Sequence, residues 1–277
     1  MTPLPFGEYA AQEGLSQSAL KPILTSPAHF QQSLKAARKD TPALKFGRAA
    51  DIAAFEPHRF ALEFAVEPEN DGSINRRTKK GKEQWKALIA AIGNRALLTR
   101  DEHDRAWACG EAVRSSFAAP YLVGRKQSAL KWTDERTGLL CKARLDVDGD
   151  DFTSDLKTCL SVDAGSFGRD VAKYLYHFQA SYYRQGVRAV RGRYLPYFLV
   201  AVEKFPPHDV GVFEVDGDAL QRGNELVRLA LDRYAACVKS GKWPGRYSRP
   251  ESVDFPKYAM FADEEDETTT ADGPITY

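Results

Sequence analysis

Apolar side chains recur at helical spacing through the first 120 residues of the chain. Within Leu15–Phe30, Ser16 is placed to cap a helix and the Ser26-Pro27 pair to interrupt it. The segment Glu67–Gly81 is polar and punctuated by glycine, which predicts a loop. Further helices are predicted over Leu44–Phe55, Lys82–Ile92 and Asp101–Phe117.

The middle of the chain changes to the alternating pattern of β-strands. The turn segments Asp134–Gly138 and Asp148–Asp151 separate three such strands, so residues 128–158 predict a β-meander. Helices followed by a meander, more helices and more strands indicate an α+β fold with a mixed sheet. The strands are predicted at Ser128–Thr133, Leu139–Val147, Phe152–Thr158, Leu195–Glu203 and Val210–Val215, and the later helices at Ala164–Tyr174, His177–Val190 and Asp218–Lys239.

Composition excludes several classes of protein. The 277 residues are 43% hydrophobic and 28% charged, which is ordinary globular usage. No apolar run approaches the length of a membrane span, and residues 1–13 do not resemble a secretory signal, so we predict a cytoplasmic protein. A net charge of +1 excludes a strongly basic, histone-like binder but leaves room for a local basic groove.

The four cysteines do not predict a metal site. Cys109, Cys141, Cys159 and Cys237 are not spaced as CxxC pairs, and no pair of histidines accompanies them. A zinc site and an iron–sulfur cluster are therefore poorly supported, and free thiols in a reducing compartment are the better interpretation.

The strongest chemical signal is a group of charged residues on two successive strands. Asp155 and Lys157 are two apart, so they share one face of their strand, while Leu156 points into the core. Asp146 lies on the preceding strand, across a short turn, and can reach the same place. The sequence therefore predicts two carboxylates and an ammonium group together at the end of a sheet.

Two neighbouring carboxylates repel each other unless a cation lies between them. Mg²⁺ prefers carboxylate and water oxygens, and it activates water and neutralises charge at a phosphate. The pattern thus predicts a metal-assisted phosphodiester hydrolase, in which Lys157 lowers the pKa of the attacking water or holds the phosphate. The alternative is an exposed ion pair between Asp155 and Lys157 on an ordinary strand.

Three other features favour the chemical interpretation, although each has a structural alternative. Gln179 and Tyr183 share a helix face and can hydrogen-bond a phosphate or a metal-bound water, unless Tyr183 is core. Asp51 interrupts an apolar helix face, unless it is simply exposed. A basic segment suits a DNA backbone, unless it is a solvated loop; it contains Arg76, Arg77, Lys79 and Lys80.

Several short motifs follow one another between residues 15 and 250. They are Ser18-x-Leu20-Lys21, Ser26-Pro-Ala-His-Phe30, Phe46-Gly-Arg48, Glu56-Pro57-x-x-Phe60, Trp132-Thr-Asp134, Thr137-Gly-Leu-Leu-Cys141-Lys-Ala-Arg144-x-Asp146, Asp155-x-Lys157-Thr158, Tyr176-His177-x-Gln179-Ala-x-x-Tyr183 and Trp243-Pro-Gly-x-Tyr247. Their order and spacing resemble the RecE-type, exonuclease VIII-like nucleases of phages and prophages, which belong to the PDDEXK superfamily.

This resemblance implies a restriction-endonuclease-like core, a central mixed sheet flanked by helices, and Mg²⁺-dependent hydrolysis of DNA, with Mn²⁺ able to substitute. It implies that Asp146, Asp155 and the backbone carbonyl of Leu156 bind the metal and that Lys157 is the catalytic lysine. Gln179 and Tyr183 match the motif that organises the site and the DNA end.

The resemblance also implies a biological setting. It indicates an exonuclease that degrades one strand of linear double-stranded DNA from the 5′ end and leaves a 3′ overhang for a single-strand annealing protein. Ring-like homo-oligomers, trimers or tetramers, are expected, in a bacterial host cell. We expect one nuclease domain over residues 1–260, with a helical part at 15–120, a catalytic core at 121–240 and an acidic, disordered tail at 261–277.

The sequence departs from the family pattern at two positions. Asp51 stands where the family usually has a metal-binding His, and Asp can ligate Mg²⁺ at least as naturally. Gln127 stands where a Glu is common, which removes one acid. Two alternatives therefore stay open: a Cas4- or RecB-like nuclease acting on single strands or flaps, and a catalytically degenerate DNA-binding or scaffold protein with the same fold.

Overall fold

A mixed sheet of five strands lies at the centre of the protein, and helices cover both of its faces. The computed structural model describes residues 6–36, 40–67, 74–75 and 77–255. The sheet runs in chain order, and its strands are β3 (Arg125–Thr133), β4 (Leu140–Asp148), β5 (Thr153–Cys159), β6 (Tyr197–Glu203) and β7 (Val210–Glu214). Only the β5–β6 pair is parallel; the other three neighbouring pairs are antiparallel.

Helices precede, interrupt and follow this sheet. A short 3₁₀ turn at Ala119–Leu122 leads into β3, and two three-residue strands, β1 (Phe64–Val66) and β2 (Ala96–Leu98), form a separate parallel pair. The helices are α1 (Phe6–Ala11), α2 (Gln17–Thr25), α3 (Pro27–Lys35), α4 (Pro42–Phe55), α5 (Pro57–Glu63), α6 (Lys79–Ile92), α7 (Arg100–Ser115), α8 (Ala164–Lys173), α9 (Tyr176–Arg191) and α10 (Gly217–Ser240).

Side-chain caps explain where several of these helices begin. Ser16 accepts a hydrogen bond from the backbone N–H of Ala19 and starts α2. Ser26 accepts one from His29 and starts α3, so the predicted interruption is a change from one helix to the next. Thr99 and Glu102 form a reciprocal capping box at the start of α7.

Two hydrophobic cores lie on opposite faces of the central sheet. On β5 and β6, Leu199 belongs to one core, whereas Leu156 and Val200 belong to the other, as the alternation of side chains along a strand requires. The first core is covered by α2, α9 and α10, and the second by α4, α5 and α7. Among the described residues, none of the helices combines the length and hydrophobicity of a membrane span.

The strands β4 and β5 are joined only beside the turn that connects them. Their pairing consists of Val147 with Ser154 and Asp148 with Thr153. Beyond these pairs, β4 continues along β3 and β5 continues along β6. The sheet therefore opens between β4 and β5, and this opening positions the charged residues described below.

The observed elements agree with the predicted α+β class and correct several details. The predicted loop at Glu67–Gly81 is wrong at its end, because Thr78 caps a helix and Lys79 and Lys80 form its first turn. Helices α1 and α5 and strands β1 and β2 were not predicted. The predicted acidic tail, residues 261–277, lies outside the described residues.

Candidate active site

Asp155 and Lys157 lie together where β4 and β5 separate. The Asp155 side chain is 4% exposed and the Lys157 side chain 16% exposed, and Lys157 Nζ forms an ion pair with Asp155 Oδ2. Burial disfavours the charge on Lys157, but the carboxylates of Asp155 and Asp146 outweigh it, so the pKa of Lys157 is raised above its usual value. Lys157 is therefore an ammonium group at neutral pH.

Three carboxyl groups crowd this place. Asp146, from β4, lies within hydrogen-bonding reach of Asp155, and Asp51 enters from α4. Burial and the charges of Asp155 and Asp51 raise the pKa of Asp146 well above its usual value. Burial and the Asp155 charge likewise raise the pKa of Asp51 to about 7, although the Lys157 charge opposes this shift. The raised pKa values show that this place favours the neutral, protonated forms of Asp51 and Asp146.

Helix α9 supplies polar side chains to the same place. Gln179 Nε2 donates to Asp155 Oδ1 at 2.6 Å and to the Tyr197 hydroxyl at 3.2 Å. Tyr183, one turn further along α9, is 8% exposed and lies edge-on to the Tyr197 ring. Burial and the Asp155 charge raise the pKa of the Tyr183 hydroxyl. Tyr183 thus packs in the core and also lies near the carboxylates, and its contact with a phosphate or a metal-bound water stays a prediction.

The residues present fit a hard divalent cation in their chemistry. No three described Asp, Glu, His or Cys side chains already surround one point. However, Mg²⁺ commonly takes only one or two protein carboxylates, and Asp146 and Asp155 would be sufficient for such a site. Asp155 Oδ2 is a buried carboxylate oxygen that accepts no well-directed hydrogen bond, although the Lys157 ammonium lies against it. The backbone carbonyl of Leu156, between Asp155 and Lys157, stays a predicted ligand.

The basic segment lies apart from this group of contacts. Arg77, Lys79 and Lys80 are exposed around the start of α6, and the described contacts do not join them to Asp155 or Lys157. Arg76 lies outside the described residues. Their role in binding DNA stays a prediction.

Two residues that the sequence analysis did not assign to the site, Lys21 and Tyr176, also lie close to Lys157. Lys21, on α2, donates to the backbone carbonyl of Tyr174 at 2.8 Å. Burial and the nearby Lys157 charge lower the pKa of Lys21 to about 8. The ring of Tyr176 lies 4.8 Å from Lys157 Nζ. Both residues belong to the motifs that resemble the nuclease family, and this membership is the signal that could have identified them. The motifs alone do not show what either residue contacts.

Strand β3 places two more polar residues, Lys126 and Gln127, beside the part of β4 that carries Asp146. Lys126 pairs with Val147 and Ser128 pairs with Leu145. Gln127, between Lys126 and Ser128, has a left-handed backbone with φ of 54°. Its side-chain oxygen Oε1 and the Lys126 Nζ are buried without hydrogen-bond partners. Burial lowers the pKa of Lys126, and the Asp146 charge opposes the shift. The sequence departure at Gln127 therefore lies beside the site.

The cysteines do not gather at any site. All four are buried and free, and they lie on α7, β4, β5 and α10. Their separation agrees with the prediction of free thiols.

Comparison with solved structures supports the fold. The crystal structure of a "putative exonuclease" from Eubacterium rectale matches with a TM-score of 0.60 and 20% identity, over 95% of this chain and 100% of that chain. A protein called SSO0001 matches with a TM-score of only 0.30 and 13% identity, over 84% of this chain and 97% of that chain, which is too weak to indicate a shared fold.

Sequence comparison identifies the family. None of the curated proteins matches this chain. Residues 16–255 match the model of a family described as "PDDEXK-like domain of unknown function (DUF3799)". The predicted α+β fold, with a mixed sheet flanked by helices and a PDDEXK-like core, is confirmed. The chain therefore belongs to this family of PDDEXK-like domains.

Proposed function

We propose that this protein is a metal-dependent deoxyribonuclease, and specifically an exonuclease that acts on the ends of linear double-stranded DNA. The observation that carries the proposal is the contact of Asp155 with Lys157 and Gln179 at the opening between β4 and β5. Active sites typically combine such groups: here a buried carboxylate, an ammonium group and a fixed amide lie at one opening. Membership of the PDDEXK-like family and the fold of the Eubacterium rectale protein support the nuclease class.

The proposed cofactor is Mg²⁺, with Mn²⁺ as a substitute. Asp146, Asp155 and the carbonyl of Leu156 would hold it, and Asp51 would complete the set of oxygen donors. When bound, the cation supplies an activated water and neutralises negative charge at the phosphorus. It would also relieve the repulsion that raises the pKa values of Asp51 and Asp146.

The chain's own side chains then divide the remaining tasks. Lys157 presents a positive charge toward the scissile phosphate or orients the attacking water. Gln179 holds Asp155 in one orientation through the hydrogen bond to Oδ1. Tyr183 and Gln179 line the place where a terminal phosphate would lie, and Lys21 adds a second ammonium group at its edge.

The finer proposal is RecE-type activity, which the order of the motifs supports. In this proposal the enzyme degrades one strand in the 5′ to 3′ direction and leaves a 3′ overhang for a single-strand annealing protein. Arg76, Arg77, Lys79 and Lys80 contact the DNA backbone, and the enzyme works as a ring-like trimer or tetramer in the cytoplasm of a bacterial host, with a phage or prophage origin.

The proposal is tested by digestion of a linear duplex that carries a different fluorophore at each end of one strand. We expect cleavage with Mg²⁺ or Mn²⁺, none with EDTA, and loss of the 5′ label first. Lys157→Ala and Asp155→Asn should each lower the rate about 10²- to 10⁴-fold. Lys131→Ala and Asp150→Asn are matched controls, because both side chains are exposed, and they should cut at the wild-type rate.

Other outcomes separate the alternatives. Wild-type cleavage rates in Lys157→Ala or Asp155→Asn would contradict the proposed site. Faster cleavage of single strands or flaps than of duplex ends would indicate a Cas4- or RecB-like nuclease. Binding of duplex without cleavage, under every divalent cation, would indicate a degenerate DNA-binding protein. Cleavage of a closed circular duplex would exclude a requirement for DNA ends.

A further inference from the structure

Two tyrosine rings extend from Lys157 to the surface of the protein. The ring of Tyr176 lies 4.8 Å from Lys157 Nζ, measured to the ring centroid. The ring of Tyr174 stacks on that of Tyr176, with 5.7 Å between centroids and 30° between planes. Tyr174 remains 47% exposed despite this contact. A continuous aromatic surface therefore connects the proposed catalytic lysine with solvent.

The backbone holds the two rings in this arrangement. Leu175, between them, has a left-handed conformation, with φ of 57° and ψ of 44°, at the junction of α8 and α9. Such a backbone is unfavourable for a leucine, so the surrounding packing must stabilise it. Leu175 packs against the first hydrophobic core, and Tyr176 also packs against Phe167. The core thus holds Tyr176 and the backbone of Leu175, and Tyr174 stacks on a ring that is fixed in place.

Three ammonium groups lie near the tyrosine pair, and the carboxylates of Asp155 and Asp170 lie near Tyr176. Lys157 lies beside Tyr176, and Lys173 Nζ lies 5.2 Å from the centroid of Tyr174. Lys21 donates to the backbone carbonyl of Tyr174 at 2.8 Å. A ligand that suits this surface therefore combines a flat π-system with negative charge close to it. A nucleotide in a DNA strand has both.

We propose that Tyr174 and Tyr176 form a stacking platform for a nucleobase near the end of the strand that is cut, after that base has left the duplex. The proposal rests on the proposed nuclease function and extends it to the neighbouring nucleotide. Stacking of the base on Tyr174 fixes the strand while the adjoining phosphate lies near Lys157 and Lys21. A stacked base is recognised by its flat face, so the platform accepts all four bases.

A fluorescent base analogue tests this platform without any cleavage. Linear duplexes carry 2-aminopurine at the first, second or third nucleotide from the 5′ end, or at the same places from the 3′ end, and are mixed with protein in EDTA. We expect the wild-type protein to quench the analogue at one of these positions. Tyr174→Ala should abolish the quenching and weaken binding about 5- to 150-fold, whereas Tyr174→Phe should retain both.

Tyr194→Ala is the matched control. Tyr194 is an exposed tyrosine that also lies beside cationic side chains, those of Arg184 and Arg188, but it follows the opposite end of α9. This variant should behave as wild type. The substitutions at Tyr174 leave the backbone carbonyl that binds Lys21 in place, so they change the platform and not that hydrogen bond.

Kinetics with Mg²⁺ give a second measurement. A platform that binds the strand equally in the ground state and the transition state should raise KM in Tyr174→Ala and leave kcat nearly unchanged. If the wild type cleaves DNA but Tyr174→Ala keeps wild-type quenching, affinity and KM, the platform is refuted and the nuclease function stands. If the wild type neither binds nor cleaves DNA, the nuclease function is refuted and the platform with it.

Discussion

The carboxylates at the two ends of the contact between β4 and β5 differ in how well their charges are paired. At the closed end, beside the turn, Asp148 is fully buried and pairs with Arg191 and with Arg125, whose Nε lies 3.1 Å from Asp148 Oδ2. Arg191 also donates to the Gly149 carbonyl at 2.7 Å. Every charge at this end has a partner, and the contacts hold the turn against the end of α9.

At the open end the same two strands carry Asp146 and Asp155, and Asp51 joins them from α4. Lys157 is the ammonium group in direct contact with Asp155, and burial, together with repulsion from Asp155, raises the pKa values of Asp51 and Asp146. A buried ion pair becomes costly when one partner is removed, whereas crowded carboxylates are relieved when a cation binds between them. The difference agrees with a structural role for the closed end and with the proposed metal site at the open end.

Removal of the carboxylate at the closed end should have the largest effect on stability. Asp148→Ala leaves the buried Arg191 guanidinium without its carboxylate, so we expect the free energy of unfolding to fall by about 3–5 kcal/mol. Urea denaturation measures this change. Asp150→Ala, in the same turn but with a side chain 90% exposed, should change stability by less than about 0.5 kcal/mol. Equal urea midpoints for Asp148→Ala and wild type would mean that the closed end is not a structural ion-pair site.

Removal of the amide at the open end should act mainly on activity. Gln179→Ala removes the donor to Asp155 Oδ1 and to the Tyr197 hydroxyl, so Asp155 loses its fixed orientation. We expect cleavage about 10- to 100-fold slower and a loss of stability of about 1–3 kcal/mol. Gln185→Ala, on the same helix, is the control, because its amide contacts Asn224 at the surface. A wild-type rate in Gln179→Ala would argue against an orienting role.

Neutralisation of Asp51 should increase stability, by the smallest amount of the three. The pKa of Asp51 is about 7 in the folded protein, against an ordinary 3.8. A raised pKa means that the folded state binds the proton more tightly. This stabilisation is complete below about pH 4 and is lost as the pH rises through 7. In EDTA at pH 8, Asp51→Asn should be more stable than wild type by about 0.5–2 kcal/mol.

The pH dependence distinguishes this cause from a simple packing effect. Unfolding free energies of wild type and Asp51→Asn, measured between pH 4 and pH 8, should converge at the acidic end. A constant difference across that range would show that the raised pKa of Asp51, from burial and from the Asp155 charge, is not responsible. Asp150→Asn serves as the control, and its curve should follow that of the wild type.

Local patterns predicted the strands of the candidate site well, whereas the contacts between distant segments could not be derived from them. The spacing of Asp155 and Lys157 on one strand requires only the alternation of side chains, so their contact followed from the sequence. The approach of Asp51 and Lys21 depends on how α4 and α2 pack against the sheet, which no local pattern encodes. Strands β1 and β2 are three residues long and exist through their pairing with each other.

The predicted end of the loop, at Gly81, is wrong for a more local reason. Lys79 and Lys80 are not followed by a strong apolar periodicity in the first turn, so the helix was expected to begin at Lys82. Thr78 was an available signal, since its side chain accepts a hydrogen bond from the backbone N–H of Gly81. A threonine before a run of lysines is easily taken for part of a solvated loop.

Lys142 connects α1, at the beginning of the described chain, with the strand that carries Asp146. From the middle of β4, its ammonium group donates to the carbonyls of Tyr9, Ala10 and Gln12, at the end of α1. A tag, partner or truncation that pulls α1 away would leave this cation unsatisfied on the strand that carries Asp146. Engineering of the amino terminus would then disturb the strand of the proposed site, whereas attachment after α10 would not involve this strand.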